Sequence, residues 1–218
     1  MKKIHLFFKS QSQISEVAPA EFAKYFSVEW QPSLAFQDAR LQTKIQKKCY
    51  RADRRGEFTI KQKWLGTHLS DKILTGYSSE LFIAWVSDTI QYGVFAKKRI
   101  EAGSYIGEYG GVVRKGNKED ADNEYCFEYA IGDRGKSPYL IDAKDQGGYT
   151  RFINHSASPN LEHLSVYSSG QIHIIFIASQ TINEGEELRY NYGEPFWKHH
   201  RLGSPVEERA TNWIHSAH

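Results

Sequence analysis

Cysteine is scarce in this chain, with only Cys49 and Cys126 among 218 residues. A disulfide scaffold or a zinc site built from cysteines needs more than two, so we expect neither of them, and no bound metal. A chain of this length can bury a core without such cross-links. The low cysteine count also favours a reducing compartment.

Long apolar runs are missing as well. No stretch approaches the roughly 20 residues that cross a membrane, and the apolar run within Met1–Lys9 is too short for a cleavable signal. We therefore expect no membrane partner. Hydrophobic content of 40% and charged content of 25% are near globular usage and disfavour wholesale disorder.

Charge is distributed unevenly, although the net charge is only +2. Residues 1–80 contain 14 Lys/Arg against 8 Asp/Glu, whereas residues 81–197 contain 11 against 16. The acidic central region suits a lysine-rich protein partner. The basic cluster between Lys44 and Lys63 could contact nucleic acid, or it is a solvated helix face, which is the commoner origin of such runs.

The apolar pattern divides the chain near residue 80. Residues 1–80 predict a mostly helical extension, with apolar residues at three- and four-residue steps in Ile14–Phe26, Leu41–Cys49 and Trp64–Ile73. Its role stays open between substrate recognition, a dimerisation arm that gives a homodimer, and a brace for the sheets.

The following part predicts a mainly β fold of several small sheets, since its apolar segments are short and separated by glycine or polar turns. A charged segment, residues 114–123, predicts a loop. The predicted strands are Leu81–Val86, Tyr105–Tyr109, Tyr125–Ile131, Tyr139–Ile141 and Ile172–Ile177.

Two segments provide the strongest functional signal. Arg151–Asn160, RFINHSASPN, is followed about thirty residues later by Gly185–Gly193, GEELRYNYG. Either alone is ordinary turn or strand chemistry, but the pair in this order and spacing is hard to obtain by chance. Together they resemble the paired C-terminal motifs of the SET-domain family of protein-lysine methyltransferases.

The resemblance covers roughly residues 81–197, with a variable insert at about 114–140. It leaves residues 1–80 as an α-helical N-terminal extension and residues 198–218 as a C-terminal tail. It implies the SET fold, in which several small β-sheets surround a C-terminal pseudoknot. In the pseudoknot, the segment that matches Arg151–Asn160 is threaded beneath the segment that matches Gly185–Gly193.

The resemblance also implies a site for S-adenosylmethionine. The loop and strand that contain Gln91 match the family's first motif, although the family usually has Gly at that position, and Gly148 replaces a usual Asn. Phe196 and Trp197 could form an aromatic lid over the adenine, or simply pack. The implied cofactor-binding residues are Tyr92, Gly93, Val94, Arg151, Phe152, Asn154, His155, Phe196 and Trp197.

By the same resemblance, Tyr192 is the catalytic tyrosine, Tyr125 lines the methyl-transfer channel, and Tyr190 limits how many methyl groups are added. A free lysine amine has a pKa of about 10.4, so it is mostly protonated and unreactive. An aromatic channel disfavours the ammonium and lowers that pKa. The Tyr190 hydroxyl can hold a water, which favours mono- or dimethylation.

The expected function is therefore transfer of a methyl group to lysine of a histone or a small basic DNA-binding protein, with S-adenosylhomocysteine as the second product. Gln91 and Gly148 leave open a SET-like binding module with weak catalysis. The small, cysteine-poor form is compatible with a bacterial protein that acts in the cytoplasm or nucleoid, or is delivered to a host nucleus.

Other enzyme classes have weaker support. A cysteine hydrolase could use Cys126, His155 and Asp142, but such trios are easily assembled by eye. No Gly-x-Ser-x-Gly motif is present, which disfavours a serine hydrolase. The histidines lack metal-ligand spacing.

Overall fold

The computed structural model describes residues 3–8, 13–132, 137–194 and 196. Within these residues the chain is mainly β, with short strands in several small sheets and four α-helices. This confirms the fold class expected from the sequence. None of the described helices is long and apolar enough to cross a membrane.

The strands are β1 (Ile4–Phe7), β2 (Ile14–Val17), β3 (Glu29–Trp30), β4 (Leu34–Phe36), β5 (Leu81–Trp85), β6 (Tyr92–Ala96), β7 (Tyr105–Glu108), β8 (Gly111–Lys115), β9 (Cys126–Glu128), β10 (Tyr139–Asp142), β11 (Gln146–Gly147), β12 (Asn154–His155), β13 (Leu161–Ser168), β14 (Gln171–Ala178) and β15 (Arg189–Tyr190). The helices are α1 (Pro19–Phe26), α2 (Ala39–Arg54), α3 (Ile60–His68) and α4 (Ser70–Leu74), with 3₁₀ turns at Lys118–Asp122 and Tyr149–Phe152.

The larger sheets have four, four and three strands. Their orders are β2-β1-β5-β6, β4-β8-β10-β9 and β13-β14-β7, while β11 pairs with β3 and β12 pairs with β15. β14 is apolar and almost entirely buried, as expected for a strand covered on both faces. A main core cluster unites these layers, with Phe22, Ile106, Tyr129 and Phe176 all fully buried.

The start of the extension is built into these sheets. β1 lies parallel to β5, β3 to β11 and β4 to β8. The helical prediction is therefore wrong for this part: Ile14 and Val17 belong to strand β2, and the helix begins only at Pro19. Pairing with β1 outweighed a three-residue spacing that also suits a helix.

The later helices of the extension follow the predicted apolar stripes. Asp38 caps α2, its Oδ1 accepting from the Leu41 backbone N–H at 2.7 Å, as N-cap residues do. Ile45 and Cys49 are fully buried on one face. The helix predicted from Trp64 to Ile73 is present as two helices, α3 and α4, which divide at Leu69.

Residues 114–123 are not all loop, contrary to the prediction. β8 continues to Lys115 because its register with β10 extends from Asp142↔Val112 to Tyr139↔Lys115. The 3₁₀ turn Lys118–Asp122 follows, capped by the Asn117 side chain. The polar residues Arg114 and Lys115 at the end of β8 had concealed the strand.

Two glycines allow the extension to lie closely against the β region. A Cβ at Gly110 would come 2.1 Å from the Gln31 carbonyl oxygen, and one at Gly148 would come 2.9 Å from Pro32 Cα. No side chain fits at such distances. Packing of the extension thus explains Gly148, where the family usually has Asn.

Candidate active site

The two C-terminal motifs meet along a short pair of parallel strands, β12 and β15. Backbone hydrogen bonds continue the contact, because Ser156 N donates to Tyr190 O at 3.0 Å and Asn160 N donates to Arg189 O at 3.2 Å. Segments far apart in sequence are thereby fixed side by side, as the expected pseudoknot requires.

A buried polar network joins the first motif to these two. Asn154 Nδ2 donates to the Tyr92 carbonyl oxygen at 3.1 Å and to Glu187 Oε1 at 2.8 Å. Glu187 is only 2% exposed, and its Oε2 accepts from Arg189 Nε at 2.9 Å. A buried carboxylate held by a charged and a neutral donor rigidifies its surroundings.

The backbone at the start of β6 fits tightly against this network. A Cβ at Gly93 would lie 2.7 Å from Glu187 Oε1 and 3.1 Å from Asn154 Nδ2, so only glycine allows the approach. Gln91 has φ 66°, a left-handed conformation that non-glycine residues seldom adopt. Gln91 therefore keeps the backbone shape for which the family's usual glycine is suited.

One cleft of 380 Å³ opens over this network, a size within the range of small-molecule sites. Among the residues predicted from sequence, it is lined by Tyr92, Tyr125, Arg151, Phe152, Asn154, Tyr190, Tyr192 and Phe196. The remaining lining residues are Tyr25, Phe26, Ser27, Ile90, Gln91, Tyr109, Glu124, Thr150 and Ile153.

Three predicted residues do not line the cleft, namely Gly93, Val94 and His155. Val94 is fully buried, and its carbonyl oxygen accepts from Leu188 N at 2.8 Å, so it supports the wall from behind. Trp197 lies outside the described residues, as does the tail, residues 198–218.

Four of the six tyrosines that line the cleft cluster together. Tyr192 Oη donates to the Ile153 carbonyl oxygen at 2.8 Å, and Tyr109 Oη donates to the Tyr125 carbonyl oxygen at 2.9 Å. The Tyr190 and Tyr192 rings lie 4.7 Å apart. Each donating hydroxyl has its proton directed at a backbone carbonyl, so its lone pairs remain available.

Burial raises the pKa of the Tyr192 hydroxyl well above its usual value, and the neighbouring Tyr190 and Tyr125 act in the same direction. Burial likewise raises the pKa of Tyr190. Both side chains are therefore neutral phenols near pH 7. Tyr192 can orient a polar group and accept weak C–H···O contacts, but it is not a phenolate base.

Arg151 closes one side of the cleft. Its Nε donates to the Ala143 carbonyl oxygen at 2.7 Å, and its guanidinium carbon lies 4.0 Å from the Tyr125 ring centroid. Burial lowers the pKa of the guanidinium. Stacking of this kind fixes the Tyr125 ring in the channel wall.

His155 supports the backbone of the second motif. Its Nδ1 accepts from Tyr192 N at 3.2 Å, which requires an unprotonated Nδ1, and its ring lies 5.4 Å from the Tyr192 ring. Phe196 contacts the other side, with its ring 4.7 Å from that of Tyr192. His155 thus positions Tyr192.

The geometry disfavours a cysteine hydrolase. Burial, with a smaller contribution from Asp142, raises the pKa of the Cys126 thiol to about 12. A nucleophilic cysteine needs the opposite shift. Among the described residues, no three His, Cys, Asp or Glu side chains form a group that could hold a metal; the expectation of no metal stays a prediction.

Sequence reasoning missed three important contributors. Tyr109 ends a predicted strand, and its position directly after Glu108 was the only sequence signal that could have indicated a place in the cleft. Glu187 lies inside the second C-terminal motif, but nothing in the motif singled it out as a residue that is only 2% exposed. Phe26 comes from the extension, and nothing in its local sequence indicates that it lines the cleft.

Comparison with known families agrees with this geometry. Residues 91–193 match the model of the SET domain. The matched range contains the first-motif loop, the tyrosine cluster and both paired C-terminal motifs. It excludes α1 to α4 and the strands of the extension.

Similar proteins come from animals, plants and fungi. "Histone-lysine N-methyltransferase EHMT1" of Mus musculus is 33% identical over 110 residues, covering 49% of this chain and 8% of the relative. "Histone-lysine N-methyltransferase trithorax" of Drosophila virilis is 36% identical over 111 residues, covering 48% and 3%. The chain therefore spans less than a tenth of the length of either relative.

A solved structure shares the fold. The humanized mutant of Chaetomium thermophilum Polycomb Repressive Complex 2, bound to the inhibitor GSK126, aligns with a TM-score of 0.50 and 26% sequence identity. The alignment covers 59% of this chain and 17% of that one.

Proposed function

Because residues 91–193 of the chain match the model of the SET domain, we propose that the protein is a protein-lysine N-methyltransferase. It takes the methyl group from S-adenosylmethionine and releases S-adenosylhomocysteine. The observation that supports this most strongly is the single cleft in which Tyr125, Tyr190 and Tyr192 lie beside Asn154 and Arg151.

The residues present fit such a cofactor. The cleft combines aromatic walls with polar groups, and its 380 Å³ is in the range of small-molecule sites. The absence of a Cβ at Gly93 lets the Tyr92–Gly93 backbone approach Asn154. Tyr92, Arg151, Phe152 and Asn154 would hold the cofactor from this side.

When bound, S-adenosylmethionine supplies an electrophilic methyl group attached to a sulfonium. The aromatic rings of Tyr125, Tyr190 and Tyr192 exclude water and disfavour an ammonium, so they help the substrate lysine to lose its proton. Tyr192 Oη, fixed by the Ile153 carbonyl, orients the neutral amine for in-line attack. Alignment of this kind contributes by preorganisation.

The preferred substrate is a lysine-rich protein, such as a histone or a chromatin-like DNA-binding protein. The charge of the chain supports this, since residues 81–197 are acidic and Glu124 lines the cleft. The relatives' names agree, because both relatives are named histone-lysine N-methyltransferases. Long-range attraction would raise the local concentration of a cationic substrate.

The basic extension is proposed to contact the nucleic acid on which such substrates lie. Within Lys44–Lys63, Lys48 instead stacks on Tyr139, with Nζ 4.8 Å from the ring centroid. Lys63 pairs with Asp53 at 2.9 Å. The exposed basic residues along one face of α2 form the basic stripe, which we define as Arg40, Lys44, Lys47, Arg51 and Arg54.

The stripe has helical spacing, so its side chains share one face. It extends over most of α2, roughly 20 Å at 1.5 Å per residue, which spans several phosphates of a duplex. The nearby acidic residue Glu57 already pairs with Arg55 at 2.6 Å. Charge complementarity therefore favours a polyanion.

A direct test is transfer of labelled methyl groups from S-adenosylmethionine to a panel of histones, small basic DNA-binding proteins and neutral proteins. Label on lysines of a basic panel member supports the enzyme and its substrate class. Label confined to neutral proteins contradicts the substrate class.

Cofactor binding separates the enzyme from a SET-like binding module. Calorimetry with S-adenosylhomocysteine should show a single site. If the cofactor does not bind and no panel member is labelled, the binding module becomes the better account.

A further inference from the structure

The cleft has one wall that the SET-domain match does not include. Tyr25, Phe26 and Ser27, at the C-terminal end of α1, line the cleft together with Tyr92 and Phe152. α1 lies in the extension, outside residues 91–193. The extension therefore contributes directly to the candidate site.

Aromatic packing fixes this wall in place. The Phe26 ring lies 4.9 Å from the Tyr92 ring and 5.0 Å from the Phe152 ring. One turn earlier, Phe22 is fully buried and lies 4.7 Å from Phe26. Since β3, which follows α1, pairs with β11, the end of α1 is held both by its side chains and by the chain after it.

Tyr25 places an aromatic side chain at the cleft, and this side chain is not part of the buried core. It is 46% exposed, although its neighbour Phe26 is half-buried. Its ring lies 5.3 Å from that of Phe8, which steadies its position. A partly exposed ring beside an aromatic wall suits a planar, apolar-faced ligand group such as a purine.

The backbone adds an independent observation. Ser27 is the C-cap of α1, where its backbone N–H donates to the Ala23 carbonyl oxygen at 2.9 Å. Its φ is 53°, a conformation that costs free energy in a residue with a Cβ. In the described part of the chain, the non-glycine residues with positive φ are Ser27, Gln91 and Ser169. Two of these three line the cleft, and strain of this kind is concentrated at ligand sites.

We propose that the end of α1 is part of the methyl donor's binding site. Tyr25 covers the purine ring, Phe26 supports the facing wall of Tyr92 and Phe152, and Ser27 offers a hydroxyl at the rim. The inference rests on the proposed function, because it concerns the same cofactor. It assigns the extension a role in cofactor affinity.

The test is titration calorimetry of the full chain with S-adenosylhomocysteine. Tyr25→Ala should weaken binding about tenfold, the loss of one stacked aromatic ring. Tyr25→Phe keeps the ring and should bind like the original protein. Tyr50→Ala is the matched control, since Tyr50 is 58% exposed but lies on α2, away from the cleft.

The outcomes separate the two proposals. If the original protein binds the cofactor and Tyr25→Ala binds it with equal affinity, the proposed role of α1 in cofactor binding is wrong, while the proposed function is unaffected. No binding by the original protein overturns the proposed function itself. If Tyr25→Ala does not fold, Tyr25→Leu keeps an apolar side chain against Phe8 without a ring, and the same tenfold loss is expected.

Discussion

Asn154 and Glu187 are joined by a hydrogen bond of 2.8 Å, from Asn154 Nδ2 to Glu187 Oε1. The bond connects the two C-terminal motifs beneath the cleft, and the same carboxylate accepts from Arg189 Nε at 2.9 Å. Because Glu187 is 2% exposed, water cannot replace these contacts. The cleft floor therefore depends on one buried carboxylate.

Glu187→Gln should strongly destabilise the protein. The amide can still accept from Asn154, but it removes the negative charge that faces the Arg189 guanidinium. Breaking a buried charge pair costs about 3 kcal/mol, which urea unfolding can measure as a lower midpoint. Cofactor affinity should fall as well, because the amide has one acceptor oxygen where the carboxylate has two, and it cannot accept from both Asn154 and Arg189 in their present places.

Glu184→Gln is the control for this change, since Glu184 is an exposed carboxylate in the same turn. It should leave both the unfolding midpoint and cofactor binding unchanged. Equal stability of Glu187→Gln and the original protein would show that the network does not hold the motifs together.

Tyr192→Phe should abolish most methyl transfer while the fold is kept. The change removes only the hydroxyl that donates to Ile153 O at 2.8 Å, and the ring contact with Tyr190 remains. Loss of alignment at a reacting centre costs about a hundredfold in rate. Single-turnover transfer of labelled methyl, with circular dichroism for the fold, measures both effects. Near-normal transfer would contradict the assigned role.

Tyr190→Phe should change the product rather than stop the reaction. Tyr190 is 8% exposed, and its ring lies 4.9 Å from Phe176, so removing the hydroxyl makes room in a closed channel. We expect trimethyl-lysine to increase relative to mono- and dimethyl-lysine, as measured by mass spectrometry of the labelled substrate. The surface variant Tyr50→Phe should leave the distribution unchanged, and abundant trimethyl-lysine from the original protein would contradict the hypothesis.

Arg114→Gln should make the free energy of unfolding depend less strongly on pH in acid. The Arg114 side chain holds the pKa of Asp120 below its usual value. For Asp142, burial raises the pKa, but hydrogen bonds that include those from Arg114 outweigh burial and leave it lowered. A carboxyl whose pKa is lower in the folded protein than in the unfolded protein stabilises the fold at pH values above its unfolded pKa, which is about 3.9 for Asp. This stabilisation is lost as the pH falls through the pKa of the folded protein.

The measurement is unfolding free energy by urea between about pH 7 and about pH 2. Arg114→Gln should be less stable at the upper end and lose less stability on acidification. Lys115→Gln, which changes an exposed neighbour, should follow the original curve. Parallel curves for Arg114→Gln and the original protein would mean that the guanidinium does not set these pKa values.

The sequence predicted the parts of the site that local motifs specify. Asn154, Tyr192 and Tyr125 were found because their segments have a characteristic order and spacing. The Tyr25–Ser27 wall could not be found, because it depends on contacts between residues far apart in sequence. Ile14 and Val17 were misassigned for a related reason: their spacing suits a helix, and only pairing with β1 decides for a strand.

The exposed basic stripe gives the last prediction. Its residues, Arg40, Lys44, Lys47, Arg51 and Arg54, lie on one face of α2 and are all exposed. Each phosphate contact releases counterions, so the affinity for duplex DNA should fall with salt, with a logarithmic slope of about −0.9 per contact.

Lys47→Gln with Arg51→Gln should therefore weaken binding of a mixed-sequence duplex and reduce the slope by about two, as measured by fluorescence anisotropy at several salt concentrations. Lys98→Gln removes an equally exposed charge that pairs with Glu80 at 2.8 Å, away from α2, and should change neither quantity. Methylation of a free peptide should be unaffected in all three proteins, because the stripe is separate from the cleft-lining residues. An unchanged salt slope in the double variant would mean that the stripe is a solvated helix face, and any contact with nucleic acid would then have to come from another surface.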